Sequence, residues 1–294
     1  MPGLSELLAR GDAVLDGGFA TELEVRGHDL RDPLWSARVL RDEPAVVEDV
    51  HAAYFEAGAD VATTASYQAT FERLGEDAGP LLRRSVELAR RARDRTGGRG
   101  LVVGSVGPYC VVWANGAEYT GDYAAAGDEQ IAVTQRRRLA ELVAAGADAI
   151  AFETIPNVRE AAILAELLEE LPGVEAWLSF CCRDGVHLSD GTAIDDAIRA
   201  AGRNGRVTAF GVNCTPPEHV GALLERARSV TDRPLLVYPN HGRAWDEAGY
   251  TWSGIGVDRF PARLVARWRA LGASAVGGCC GIGPQAIADL AGRL

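Results

Sequence analysis

Short apolar segments and longer amphipathic segments alternate along the 294 residues of the chain. The apolar segments are the predicted strands, at residues 13–18, 60–66, 101–107, 148–154, 175–180, 207–214, 234–240 and 274–280. Most are near-continuous apolar runs, typical of strands buried on both faces of a parallel sheet. The predicted helices are the amphipathic segments, at residues 45–59, 81–95, 128–147, 157–171, 193–203, 218–230, 260–273 and 284–294. Eight strands that each precede a helix predict an α/β fold, a single (β/α)8 TIM barrel.

An open doubly wound sheet is the main alternative fold, because it also alternates strands with helices. Its dinucleotide-binding form carries a G-x-G-x-x-G fingerprint after the first strand, and the pair Gly17 and Gly18 lacks that spacing. The chain contains no linker rich in Pro or Ser and no low-complexity segment. We therefore predict that residues 1–294 form one domain.

The basic residues exclude several classes of enzyme, because all 30 are arginine and the chain contains no lysine. Neither Schiff-base chemistry on a lysine amine nor a P-loop is possible without one. The formal net charge of −11 argues against nucleic acid or an anionic membrane as a partner. The first residues lack the pattern of a signal peptide, so we expect a cytoplasmic protein with reduced thiols. We expect small-molecule substrates, and a monomer or a small homo-oligomer.

Three of the six cysteines lie at the ends of predicted strands, Cys214 on the sixth and the adjacent Cys279 and Cys280 on the eighth. The carboxyl ends of the strands form the catalytic mouth of a TIM barrel, so these thiols are expected there. Side chains on a strand alternate in direction, and two adjacent thiols can face one ion only where the strand breaks. Three thiolates suit Zn²⁺ and leave its fourth position vacant, which is typical of a catalytic site. Buried, inert cysteines are the alternative explanation.

A zinc site with three thiolates carries a net charge of −1 and is a poor Lewis acid for activating water. It suits a substrate thiol, because a thiol with a pKa near 8.5 is only ~3% ionised at pH 7 and a coordinated thiol is deprotonated outright. The site therefore favours transfer of an alkyl group to sulfur. The other adjacent pair, Cys181 and Cys182, has only Cys110 predicted near it, and we assign the pair a structural role.

Ten short segments follow one another along the chain in an order that is typical of one protein family. They are LDGGFATELE, DPLWSARVL, ADVATTASYQAT, GSVGPY, EYTGDY, FETIPNVREA, HLSDGT, GVNCTPP, YPN and GGCCGIGP. With these segments the chain resembles the homocysteine S-methyltransferase family over nearly its whole length. The combination of GVNC and GGCCG at this separation is a specific signal for that family. The resemblance implies a zinc-dependent (β/α)8 barrel, and it is closest to the subgroup that uses S-methylmethionine or S-adenosylmethionine as the methyl donor.

The resemblance also implies roles for particular residues. The positions that match the family's zinc ligands are Cys214, Cys279 and Cys280. Asp16 and Glu153 match the carboxylates that hold the amino group of homocysteine, which needs anionic acceptors; the alternative is a structural acid at a strand end. Tyr67 either lies near the donor or the zinc, or packs in the core. Asn213 either orients the ligand cysteine or contacts the substrate.

The implied reaction moves a methyl group from a sulfonium to the thiolate of homocysteine and forms methionine. The leaving group is a neutral thioether, so no general acid is required. We accordingly expect four histidines to be loop or helix-surface residues: His28, His51, His187 and His219.

Three positions depart from the usual family pattern, namely Cys110, His241 and Arg243. The two in the loop after the seventh strand leave open the choice of donor and the contacts of the acceptor's carboxylate. Two alternative functions remain: methyl transfer to another thiol or selenol, such as selenocysteine, and a non-catalytic barrel that binds zinc. An ammonium-binding pair of carboxylates favours the enzyme, since a metal store has no use for it.

Overall fold

Eight parallel strands form a barrel in the computed structural model, which describes residues 3–30, 34, 36–123, 126–246, 251–253 and 256–294. The strands are β1 (Ala13–Val14), β2 (Val61–Thr63), β3 (Leu101–Val106), β4 (Ala149–Ile155), β5 (Ala176–Phe180), β6 (Ala209–Asn213), β7 (Leu235–Tyr238) and β8 (Ala273–Val276). Their order in the sheet is β1-β8-β7-β6-β5-β4-β3-β2. A parallel bridge between Leu15 and Val61 joins the two edge strands. The predicted TIM barrel is confirmed.

Helices between the strands surround the barrel. The α-helices of the described residues are α1 (Leu4–Ala9), α2 (Phe19–Val25), α3 (Ser36–Asp42), α4 (Pro44–Glu56), α5 (Phe71–Leu74), α6 (Ala78–Arg95), α7 (Ala117–Thr120), α8 (Asp128–Ala144), α9 (Val158–Leu167), α10 (Ile194–Ala201), α11 (Pro217–Arg228), α12 (Ala262–Ala270) and α13 (Pro284–Ala291). Helices α4, α6 and α8 to α13 correspond to the eight predicted helices. Within the described ranges, no helix combines the length and the apolar character that crossing a bilayer requires.

The first helix closes the amino-terminal end of the barrel. Leu4, Leu7 and Leu8 are each at most 2% exposed, and they pack in one apolar cluster with side chains from inside the barrel, including Trp177. The carboxylate of Glu175 accepts the backbone N–H of Leu4 at 2.7 Å, which satisfies a free donor at the start of α1. Described residues therefore fill the barrel interior at this end, which leaves the opposite end for a site.

The sequence prediction differs from the structure mainly between strands. Strand β1 was predicted to reach residue 18, but it ends at Val14, because the chain then turns to pack against the segment that follows β8. The N–H of Gly18 donates to the carbonyl of Ile282 at 2.8 Å in this turn. Helices α1, α2, α3, α5 and α7 were not predicted, nor was the antiparallel hairpin that pairs residues 244–246 with 251–253.

Candidate active site

Three thiols meet where β6 and β8 end. The Sγ atoms of Cys214, Cys279 and Cys280 all lie within 4.8 Å of one another. Cys214 Sγ is 3.8 Å from Cys280 Sγ, and the Sγ atoms of the adjacent pair are 4.0 Å apart. The structure thus brings together the three cysteines that the sequence singled out.

An uncommon backbone conformation directs the Cys214 side chain toward the other two thiols. Cys214 has a φ of +48°, in the left-handed region that residues with a side chain seldom adopt. Its N–H donates to the carbonyl of Tyr238 at 3.2 Å, and its own carbonyl accepts from Nδ2 of Asn240 at 3.1 Å. The end of β7 therefore holds Cys214 in a conformation that carries a cost, as is common at functional sites.

The adjacent pair lies in a tight turn after β8. The N–H of Cys279 donates to the carbonyl of Pro239 at 2.8 Å, and the carbonyl of Cys280 accepts from the N–H of His241 at 2.9 Å. The following residue, Gly281, has a φ of +82°, and a Cβ there would lie 2.1 Å from the His241 ring. Only glycine satisfies both constraints. The chain has left strand geometry here, so both thiols can reach one site.

The sulfur spacing fits a tetrahedral metal ion. With Zn–S bonds of about 2.3 Å and tetrahedral angles, two sulfur ligands of one zinc ion lie about 3.8 Å apart, close to the separations of 3.8 Å and 4.0 Å found here. Hydrogen bonds from Cys279 and Cys280 lower the pKa of Cys214 well below its usual range, and the pKa values of the two donors are raised. The trio therefore gives up its first proton readily and holds the others, which a divalent cation would displace.

Two buried carboxyl groups line the same cavity as the thiols. Oδ2 of Asp16 accepts from the N–H of Thr63 at 2.7 Å and from its hydroxyl at 3.0 Å, and Glu153 accepts from the hydroxyl of Ser105. Burial raises the pKa of Asp16 to about 8, with a further contribution from the charge of Glu153. Burial also raises the pKa of Glu153 to about 7. A cation entering between these groups would favour their ionised forms.

Asn213 fixes the end of β4 by hydrogen bonds. Its Oδ1 accepts from the N–H of Thr154 at 2.7 Å, and its Nδ2 donates to the Thr154 hydroxyl at 2.8 Å. Thr154 has a φ of +61°, so this pair of bonds holds a second left-handed residue, directly after Glu153. The amide of Asn213 thereby fixes the backbone next to a cavity carboxylate.

All seven residues singled out from the sequence line one cavity, of about 120 Å³. The ring of Tyr67 packs against the backbone of Gly107, where a Cβ would lie 2.7 Å away. The carbonyl of Tyr67 accepts from the buried guanidinium of Arg138 at 2.8 Å. Burial, followed by the charge of Glu118, raises the pKa of the Tyr67 hydroxyl well above its usual value.

Sequence reasoning missed the part of the wall that comes from α7. The hydroxyl of Tyr119 lies 3.4 Å from Sγ of Cys214, and Glu118 lines the cavity beside it. Both belong to the EYTGDY segment, which contributed to the family resemblance but received no role. Thr63 and Ser105 were also missed, because the partner of a buried carboxylate depends on which strands are neighbours.

Two expectations about other polar residues were wrong. His51 was expected on a loop or helix surface, but it is fully buried on α4, because it follows Val47 by four residues and so lies on the apolar face. Burial lowers its pKa to about 3, which keeps it neutral. Cys181 was expected near no cysteine except Cys110, yet its Sγ lies 3.7 Å from the carbonyl of Cys214. The reason is that β5 and β6 are neighbours in the barrel.

The loop after β7 places His241 beside the thiols and Arg243 next to it. The N–H of Arg243 donates to Nδ1 of His241 at 3.4 Å, and burial, followed by the Arg243 charge, lowers the pKa of His241. Cys110 lies apart from the trio, in a small apolar cluster with Tyr123. Residues 247–250 and 254–255 of this loop, and residues 32, 33 and 35 of the DPLWSARVL segment, lie outside the described residues.

Fold and site together define a TIM-barrel protein with a three-cysteine site, suited to a metal ion, at the carboxyl-terminal mouth. Comparison with known proteins agrees with this class. A family model described as "Homocysteine S-methyltransferase" matches residues 13–294, and the chain therefore belongs to the homocysteine S-methyltransferase family.

Several relatives are similar over nearly the full length. Homocysteine S-methyltransferase YbgG of Bacillus subtilis is 40% identical over 293 residues, covering 95% of this chain and 93% of the relative. A selenocysteine Se-methyltransferase of Brassica oleracea is 41% identical over 321 residues, covering 99% of this chain and 92% of the relative. The metallated crystal structure of homocysteine methyltransferase MmuM from Escherichia coli has a TM-score of 0.86 and 41% identity, covering 98% of each chain.

Proposed function

We propose that the protein is a zinc-dependent enzyme that transfers a methyl group from a sulfonium donor to homocysteine, forming methionine. The donor we propose is S-methylmethionine or S-adenosylmethionine. The observation that carries the proposal is the single cavity that joins three thiols at metal-binding distance to two buried carboxyl groups. We further propose that residues 1–294 act as one domain, in the cytoplasm, on small molecules, as a monomer or small homo-oligomer.

The thiols hold the metal in this proposal. Cys214, Cys279 and Cys280 supply three sulfur donors, whose spacing suits zinc, and leave one coordination position to the cavity. When bound, zinc supplies a position at which a substrate thiol loses its proton. The hydroxyl of Tyr119, at 3.4 Å from Cys214 Sγ, can donate to that sulfur once it is ionised.

The carboxyl groups bind the acceptor. Asp16 and Glu153 share the cavity, and each is fixed by hydrogen bonds from a neighbouring strand, through Thr63 and Ser105. An α-ammonium group that enters between them pairs with both, and both ionise as it binds. Asn213 contributes by holding Thr154, and with it the strand end that carries Glu153.

The transfer itself needs only alignment and exclusion of water. The homocysteine sulfur forms the new S–C bond, and the electron pair of the broken bond stays on the donor sulfur, which leaves as a neutral thioether. Anion and cation cancel as the transition state forms, so a poorly hydrated cavity helps the reaction. The chain holds both reactants beside each other, which contributes through proximity.

A related acceptor is the second candidate. The Brassica relative is named a selenocysteine Se-methyltransferase and is as similar to this chain as the homocysteine enzymes reported above. A selenol uses the same three thiols and the same ammonium site. Competition between homocysteine and selenocysteine for the zinc-loaded protein, measured as kcat/KM, distinguishes the two acceptors.

The test of the proposal is a donor panel with purified, zinc-loaded protein. Homocysteine is supplied with S-methylmethionine, S-adenosylmethionine or betaine, and methionine is quantified. We expect methionine from at least one sulfonium donor and none from betaine. Product from betaine alone would overturn the choice of donor, and no product from any donor would favour a zinc-binding barrel without this activity.

A further inference from the structure

Two segments pack against each other at the barrel mouth, EYTGDY (residues 118–123) and HLSDGT (187–192), and the proposed chemistry uses only Tyr119 of them. The hydroxyl of Ser189 donates to the carbonyl of Glu118 at 2.9 Å. Gly121 has a φ of +67°, and a Cβ there would lie 2.4 Å from the backbone nitrogen of Asp190. Nδ2 of Asn157, which follows β4, donates to the carbonyl of Gly121 at 3.1 Å. The short helix α7 is therefore anchored through its backbone to the loops after β4 and β5.

The anchored turn presents two side chains to the cavity. Glu118 and Tyr119 both line it, together with Tyr67 and the thiol of Cys280. The Tyr119 hydroxyl lies 3.4 Å from Sγ of Cys214, so the turn lies over the sulfur end of the cavity. A carboxylate thus shares the cavity with the thiols, on the same turn as the tyrosine whose hydroxyl contacts Cys214.

The cavity wall of the described residues carries three carboxyl groups, and the proposed function uses only two of them. Asp16 and Glu153 pair with the ammonium group of the acceptor. A sulfonium donor brings a further positive charge, on the sulfur next to the reacting methyl group. In a poorly hydrated cavity that charge needs an anionic partner. Aromatic ring faces also attract cations, and Tyr67 and Tyr119 supply rings in the same part of the wall.

We propose that Glu118 is the counter-charge of a sulfonium subsite whose other walls are the rings of Tyr67 and Tyr119. This inference rests on the proposed function, and it adds a residue that selects the charged donor. Glu118 attracts the sulfonium before transfer more strongly than the product afterwards, since the product thioether is neutral. The subsite therefore promotes both binding of the donor and release of the demethylated product.

A ratio of two affinities tests the subsite. S-Methylmethionine and methionine share every group except the charged methylated sulfur, so the ratio of their Kd values isolates recognition of the sulfonium. Both Kd values are measured by calorimetry on zinc-loaded protein without homocysteine, so that no turnover occurs. In Glu118→Gln we expect the preference for the sulfonium to fall about tenfold, the effect of losing one close charge pair.

Two variants serve as controls. Glu129→Gln removes the same charge from an exposed position in the first turn of α8 and should leave the ratio unchanged. Glu118→Asp keeps the charge and should keep most of the preference, which covers the case in which the glutamine variant folds poorly. An unchanged ratio in folded Glu118→Gln, or no preference in the wild type, would overturn the subsite. Methyl transfer by the wild type, measured separately, reports on the proposed function itself.

Discussion

The two ends of the barrel are built in opposite ways. At the amino-terminal end, α1 fills the interior with an apolar plug formed by Leu4, Leu7 and Leu8, and the carboxylate of Glu175 caps the helix. At the carboxyl-terminal end, the interior keeps a cavity with buried carboxyl groups, and two non-glycine residues of the cavity wall, Thr154 and Cys214, have positive φ. One end contains groups whose burial stabilises the fold, and the other contains groups whose burial or conformation costs stability.

The difference shows that one end of the barrel contributes stability, whereas the other end contains the groups proposed to carry out the chemistry. An apolar plug gains free energy from every methyl group that it buries, whereas a carboxyl group that is driven toward its neutral form gains nothing until a cation arrives. Strained residues and perturbed carboxyl groups persist only where the surrounding structure holds them in place. Substitutions at the two ends should therefore separate stability from activity.

The largest effect is expected at the mouth, from removal of one thiol. Cys214→Ser replaces a soft donor with a hydroxyl that stays protonated at neutral pH, so the metal should be lost and methyl transfer should fall by at least about a thousandfold. Metal content by mass spectrometry and the rate of methionine formation measure both results. The fold should survive, because the plug at the other end is untouched.

Cys182→Ala is the matched control for this variant. Cys182 is also buried and is also one of an adjacent pair, yet it is not among the three thiols that lie within 4.8 Å of one another. We expect it to retain zinc at one ion per chain. Undiminished zinc in Cys214→Ser would remove Cys214 from the metal site.

The second-largest effect is expected at the amino-terminal end, where a substitution should lower stability and leave activity unchanged. Leu7 is 2% exposed, and Leu7→Ala leaves a cavity that should lower the free energy of unfolding by about 2 to 5 kcal/mol. At about 2 °C per kcal/mol for a chain of this size, the Tm should fall by about 4 to 10 °C. The kcat and the KM for homocysteine should stay within twofold of wild type below the transition. A parallel loss of activity at low temperature would show that the two ends are not independent.

The sequence predicts the carboxyl-terminal end of the barrel better than the amino-terminal end. The barrel follows from apolar runs of strand length, because a strand buried on both faces must be apolar whatever its neighbours are. The thiols were found because Cys214 and the Cys279–Cys280 pair lie at strand ends. The plug was missed, although LSELLA shows helical spacing, since nothing local indicates that a six-residue helix enters a barrel.

The parts of the mouth that escaped prediction depend on strand order and loop contacts. Thr63 was not expected to hold Asp16, a contact that spans 47 residues and requires that β1 and β2 be adjacent. Tyr119 reaches Cys214 across 95 residues, because the loop after β3 folds over the mouth. Periodicity assigns residues to elements, and it does not assign partners to side chains.

The smallest effect expected is one in which a single substitution at the mouth raises stability and weakens binding. Burial raises the pKa of Asp16 from 3.8 to about 8, so the folded, ligand-free protein keeps a proton that the unfolded chain releases between these values. Its stability should therefore decline as the pH rises from about 4 to about 8. Asp16→Asn has no such proton, and its Tm should exceed that of wild type at pH 8 by a few degrees, with a smaller gap at pH 5.

Asp16→Asn should weaken the binding of homocysteine, although it raises the Tm. Asparagine cannot pair with an ammonium group, so the KM for homocysteine should rise about ten- to a hundredfold in Asp16→Asn. In wild type, where Asp16 and Glu153 must both ionise, that KM should fall as the pH rises from 6 to 8; in Asp16→Asn the fall should be shallower. Thermal unfolding and initial rates over this range measure the two effects. A Tm below that of wild type at pH 8 would mean that ionised Asp16 stabilises the fold, and the contrast between the two ends would then fail at this residue.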